Sequence, residues 1–147
     1  MAITSTSAIE PGVVQLIYCS RIVNPQDANR VGQDIDHIVR HGQTKNARLG
    51  ITGALLTDRA LFAQVAEGPA AAIEGMYSRI ADDKRHRGVE LLRYVATHVR
   101  LLPLWPLALV EVDRIPDVGR INGRSTPLDR RRACTSVLAA LRPLLLG

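Results

Sequence analysis

A chain of 147 residues has the size of one domain with its own hydrophobic core, and its 46% hydrophobic and 22% charged residues exclude wholesale disorder. No apolar run is long enough to span a bilayer, and the opening Met1-Ala2-Ile3-Thr4-Ser5 lacks the charged and apolar regions of an export signal, so a cytoplasmic protein with no membrane partner is expected. Cys19, Cys134 and four scattered histidines show no metal-ligand spacing, and a net charge of +5 with only 3% aromatic residues argues against a nucleic-acid site.

Residues 1–12, rich in Ser and Thr and closing on Pro11-Gly12, read as a mobile leader. A strand is expected from Val13 to about Ser20. Asn24 as cap, Pro25 at the first helical position and Asp27 in the first turn then predict a helix, whose apolar face carries Val31, Ile35, Ile38 and Val39. After Gly42 the chain is expected to leave the helix and pass through Lys45-Asn46-Ala47-Arg48-Leu49-Gly50 into a strand over 51–57. Asp58-Arg59 breaks this from a second strand over 61–67, which predicts a hairpin without the usual glycine.

Gly68-Pro69 opens a second helix with Ile73, Met76, Tyr77 and Ile80 on its buried side. Strands are expected over 89–97 and 104–112, the last irregular or at an edge because of Pro103 and Pro106. The order strand, helix, strand, strand, helix, strand, strand contains two split crossovers, and predicts an α+β ferredoxin-like sandwich: one mixed sheet over 13–112 with two helices on one face. Residues 113–147 would cover the other face. There Thr126-Pro127-Leu128-Asp129 reads as a capped start, and Ala133, Val137, Leu138, Leu141 and Leu145 as the stripe of a helix kinked by Pro143. Arg114, Arg120, Arg124, Arg130, Arg131, Arg132 and Arg142 concentrate positive charge in this segment, as on a solvated face or partner surface.

Tyr18, Asn46 and Gln64 stand out because Tyr18 and Gln64 interrupt apolar strands, and a buried phenol or amide requires a polar partner. Read alone, Tyr18 is a core tyrosine with a satisfied hydroxyl, Gln64 a cross-strand glutamine, Asn46 a turn residue, and Arg85 and His86 a helix end. Four segments together carry more. They are 16–20 (Leu-Ile-Tyr-Cys-Ser), 46–56 (Asn-Ala-Arg-Leu-Gly-Ile-Thr-Gly-Ala-Leu-Leu), 62–69 (Phe-Ala-Gln-Val-Ala-Glu-Gly-Pro) and 83–86 (Asp-Lys-Arg-His). In this order and spacing, across 13–110, the chain resembles a BLUF domain, a blue-light sensor that binds flavin.

The resemblance implies a non-covalently bound flavin, FAD or else FMN or riboflavin, held between the two helices. It implies that Asn46 meets the ring edge, that Gln64 bridges Tyr18 and the flavin, and that Ile35, Ile38, Ile51 and Leu55 are walls. Lys45 stands where the family often has Asn or His against the cofactor. Arg85 and His86 would meet the ribityl and phosphate tail. In the family, excitation draws an electron and a proton from the tyrosine, and back-transfer leaves the glutamine rearranged. Trp105 matches a family tryptophan in the signal relay, but Leu107 stands where a methionine is common. The expected output is signalling, not catalysis, through a homo-oligomer or a downstream protein partner, with no attached output enzyme after residue 113. Two other readings compete: a ferredoxin-like interaction module that has lost the flavin photocycle, and a small acyl phosphate hydrolase, for which no phosphate-cradling glycine loop is present.

Overall fold

Alternating side chains on buried strands need a layer on each face of the sheet, and the computed structural model, which describes residues 9–146, supplies both. Strands β1 (Val13–Ile22), β2 (Thr52–Thr57), β3 (Leu61–Pro69), β4 (His86–Ala96) and β5 (Ala108–Glu111) lie in the order β4-β1-β3-β2-β5. β1 is antiparallel to β3 and β4, β2 is antiparallel to β3, and β5 runs parallel to β2 at the edge. Helices α1 (Ala28–Leu49) and α2 (Ala70–Ala81) are the two crossovers. This is the expected ferredoxin-like arrangement, with all five strands in one mixed sheet.

One face of β1 sends Val14, Leu16 and Tyr18 toward Ile73 and Met76 of α2, while Leu55 and Phe62 meet Val31 and Ile35 of α1. The opposite face sends Ile17, Cys19, Ala54, Leu56, Ala63 and Val65 into a cluster closed by Ile115, Val118 and Ile121 and by Ala133, Cys134, Val137 and Leu141 of the C-terminal segment. That segment folds as α3 (Pro127–Ala140) and α4 (Arg142–Leu146). Thr126 and Asp129 form the reciprocal cap that their spacing predicts, with Thr126 Oγ1 accepting from Asp129 N at 3.1 Å and Asp129 Oδ2 accepting from Thr126 N at 2.9 Å. Pro143 falls in the first turn of α4 and separates two helices instead of kinking one, and Leu145 is exposed, outside the buried stripe.

Several boundaries differ from expectation. Helix α1 runs past Gly42 to Leu49, because the residues beyond Gly42 include no helix breaker and Gly50, at φ 72°, supplies the left-handed cap that ends it. The N-cap is Asp27, whose carboxylate accepts from Arg30 N at 3.1 Å, while Asn24 takes a left-handed turn at φ 53°. The β2–β3 turn does without glycine because Asp58 Oδ1 accepts from both Ala60 N and Leu61 N, at 2.9 and 2.8 Å. β4 starts at His86, and Pro106 delays β5 to Ala108.

Of the expected leader, residues 1–8 lie outside the described residues. Glu10, just beyond them, is pinned: it pairs with Arg100 at 3.0 Å, and Arg100 also donates to Gly50 O and Thr52 Oγ1 at 2.8 and 3.1 Å. Beside this pair the fully buried Glu67 accepts from Gln15 Nε2, Leu101 N and Leu102 N at 2.9, 2.9 and 2.7 Å. Three donors satisfy a carboxylate that burial would otherwise penalise, and they tie the β4–β5 connection to the end of β3. Among the described residues no helix is long and apolar enough to cross a membrane.

Candidate functional site

Cross-strand register builds the centre of the site. Tyr18 on β1 is directly opposite Gln64 on β3, which is in turn opposite Leu55 on β2, so the three side chains form a row on one face of the sheet. Tyr18 Oη donates to Gln64 Oε1 at 2.8 Å, and Gln64 Nε2 reaches the Met76 sulfur at 3.9 Å. A cavity of about 250 Å³ opens above this row between α1 and α2. Burial pushes the Tyr18 phenol well above its ordinary pKa of 10.0, with a further push from the charge of Asp83. Tyr18 is therefore a neutral, hydrogen-bonded phenol throughout the physiological range.

Asn46 lies in the last turns of α1, in the cavity wall, instead of in the loop expected for it. It donates through Nδ2 to Pro106 O at 3.0 Å, and its Oδ1 accepts from no described residue. One turn earlier, Gly42 abuts Leu107: a Cβ there would lie 2.7 Å from Leu107 Cδ2, and that side chain would have to shift. Leu107 is thus buried in the cavity wall, and Gln43 Nε2 holds its carbonyl at 3.1 Å. Trp105 is elsewhere: its half-buried side chain packs on the opposite face, with the cluster around Ile17 and Val137. The structure does not bring Trp105 and Leu107 together at the cavity.

Ile38, Lys45, Leu55, Arg85 and His86 line the cavity with Tyr18, Asn46 and Gln64. Ile35 and Ile51 do not; Ile35 packs with Val31 and Phe62, and Ile51 with Leu16 and Ile73 behind the wall. His86 begins β4 and has both ring nitrogens committed to protein, Nδ1 to Ser20 Oγ at 2.7 Å and Nε2 to Ile80 O at 2.6 Å. A carbonyl only accepts, so Nε2 carries a proton and donates it to Ile80 O. That places His86 in the wall, edge-on to Tyr18. Arg85 is clasped by Asp83, whose carboxylate accepts from Nε at 3.0 Å, and its Nη1 meets His37 Nδ1 at 2.7 Å. The guanidinium holds the Asp83 carboxyl below the usual carboxylate range.

Phe62, Met76, His41, Gly42, Arg79, Ile80 and Asp83 complete the lining with Leu107. Helical spacing carried the signal for most of them: Ile38, His41, Gly42 and Lys45 recur at successive turns of α1, and Met76, Arg79 and Ile80 along α2. The cavity therefore combines aliphatic walls, an amide nitrogen with only a soft sulfur to meet, a free amide oxygen, and a rim carrying Lys45, Arg79 and Arg85. Such a donor set fits a planar heteroaromatic ring with carbonyl and N–H edges and an anionic tail.

The chain matches a family model described as sensors of blue light using FAD over residues 13–108. Its fold is similar to the dark-state structure of the BLUF protein BlrB, with 30% identity, a TM-score of 0.68, and coverage of 88% of this chain and 98% of that one. The Klebsiella pneumoniae BlrP1 structure with FMN and cyclic diGMP aligns at 29% identity and TM-score 0.63, covering 88% of this chain and 34% of that one. Photoactivated adenylate cyclase subunit beta of Euglena gracilis is 34% identical over 88 residues, 60% of this chain and 10% of that protein. The chain thus spans about a tenth of the cyclase relatives it matches. With the cavity, the Tyr18–Gln64 pair and these matches in agreement, the chain belongs to the BLUF family of flavin-binding blue-light sensors.

Proposed function

We propose that Tyr18 and Gln64 form the light-reading pair of this sensor and that its flavin is FAD. The observation that carries this reading is the 2.8 Å bond from a buried, protonated Tyr18 to Gln64 Oε1 at the floor of a cavity. A bound flavin, once excited, supplies a strong oxidant; the protein's part is to deliver an electron and proton from one defined donor and to register the event. Tyr18 is the donor, since burial keeps its proton in place until the electron leaves. Gln64 registers the event, because a carboxamide donates from one end and accepts at the other and can exchange which end faces the cavity. Asn46, through its free Oδ1, and Leu55 and Ile38, through their side chains, orient the ring.

Lys45, Arg79 and Arg85 at the rim support FAD over riboflavin, because two phosphates gain from cations that an uncharged ribityl chain does not use. Output passes to a second copy or a protein partner, with the outward face of α3, where Leu128, Arg131 and Arg132 are exposed, as the receiving surface.

A light-minus-dark spectrum of flavin-loaded protein tests the reading. The expected result is a small red shift of the blue band that decays in darkness; Tyr18→Phe and Gln64→Leu bind flavin and lack the shift. Either variant keeping a normal shift would reassign the roles. Flavin binding with no shift in the unaltered protein would favour an interaction module without a photocycle.

A further inference from the structure

The resting orientation of Gln64 needs a cause, because Tyr18 does not provide one: a phenolic hydroxyl can donate to an amide oxygen or accept from an amide nitrogen equally well. The amide's other end settles it. Gln64 is 6% exposed, and the acceptor that its Nε2 finds among the described residues is the sulfur of Met76, 3.9 Å away and itself buried. A thioether accepts and never donates, so it attracts an N–H and repels an amide oxygen. Met76 is thus the neighbour that distinguishes the two ends of the carboxamide. It is held in place by α2, packed with Ile73 against Tyr18 and Leu16, and lines the same cavity.

We propose that Met76 is a positioning residue that fixes Gln64 with its oxygen toward Tyr18, and so sets how long the light-adapted state lasts. This rests on the Tyr18–Gln64 reading above. Turning the amide end for end sets Oε1 against the sulfur, two acceptors facing each other in a dry site, and this opposition drives the return. Without the sulfur the turned amide loses its penalty and the resting amide loses its anchor. Recovery in darkness then slows, by about two- to fivefold for a contact of this weak class.

The chain has two methionines, Met1 and Met76, so replacing methionine by norleucine throughout changes one side chain among the described residues and exchanges a sulfur for a methylene of nearly equal shape. In flavin-free protein, the ¹H–¹⁵N resonances of the Gln64 side-chain amide, assigned with Gln64→Leu, are expected to move or double on norleucine substitution, and to return with selenomethionine, which restores a soft acceptor. In flavin-loaded protein, norleucine is expected to slow recovery in darkness. Unchanged amide resonances overturn the Met76 contact, and unchanged or faster recovery overturns its control of lifetime. Failure to bind flavin sinks the photoreceptor reading instead, and the flavin-free spectra still decide the orienting contact.

Discussion

Burial gives individual residues their properties here. The folded state keeps the Tyr18 proton above pH 10.0, where an unfolded chain releases it, and burial likewise lifts the Cys19 thiol from 9.0 to about 12. Both groups bind more protons folded than unfolded, so their contribution to stability is complete below about pH 9 and is lost as pH climbs through the folded values. Urea midpoints are expected to be flat from about pH 7 to 9 and to fall above about 10, and Tyr18→Phe should flatten part of that fall. Glu67→Ala would leave the buried Gln15 side chain and the Leu101 and Leu102 amides without their acceptor, at a cost of about 3–5 kcal/mol. Chemical denaturation measures it, and a loss under about 1 kcal/mol would show that water replaces the carboxylate. Gly53, at φ 156°, leaves a Cβ only 1.9 Å from Val65 O, so Gly53→Ala is expected to yield no soluble folded protein. That Tyr18 and Gln64 need partners is legible in the sequence because both interrupt apolar runs, whereas Asn46 stands out only through the family resemblance. Met76 is legible there only as core, since its role depends on which end of an amide it faces.

At the scale of elements, helix ends decide what the sequence reveals. The cap from Thr126 to Asp129 can be read directly, since it is made within one turn. The start of α1 offers two capping candidates in four residues, Asn24 and Asp27, and only the turn at Asn24 shows that Asp27 takes the role. Asp27→Ala and Thr126→Ala should each cost about 1 kcal/mol, read as a shift in denaturation midpoint. The end of α1 is hidden because Gly42 looks like a stop, whereas in the fold it lies mid-helix against Leu107. That contact is long-range, and no local pattern contains it. The same holds for β5, whose short span results from Pro106 and from pairing with β2.

In the whole molecule, the sheet separates two apolar layers of different purpose, one enclosing the cavity and the other seating α3. Leu141, fully buried in the second layer and far along the chain from Tyr18, offers a test of how closely the layers depend on each other. Leu141→Ala is expected to lower stability by about 2–5 kcal/mol while leaving flavin affinity within about twofold, as measured by fluorescence titration. A large loss of affinity would mean that the two layers are not independent. Preference for FAD over riboflavin should shrink as salt is raised, because the rim cations act through partly exposed charge.

The pleat of β1 has one more effect. Tyr18 and Cys19 are chain neighbours that point to opposite sides, the phenol to the cavity and the thiol to the cluster holding Cys134 and Val137 of α3. A single peptide unit joins them, so a backbone rotation at Tyr18 on illumination is expected to reach Cys19 directly. The S–H stretch of Cys19 falls in an otherwise silent infrared window, and illumination should displace it; an identical band before and after would mean the rotation does not reach the thiol.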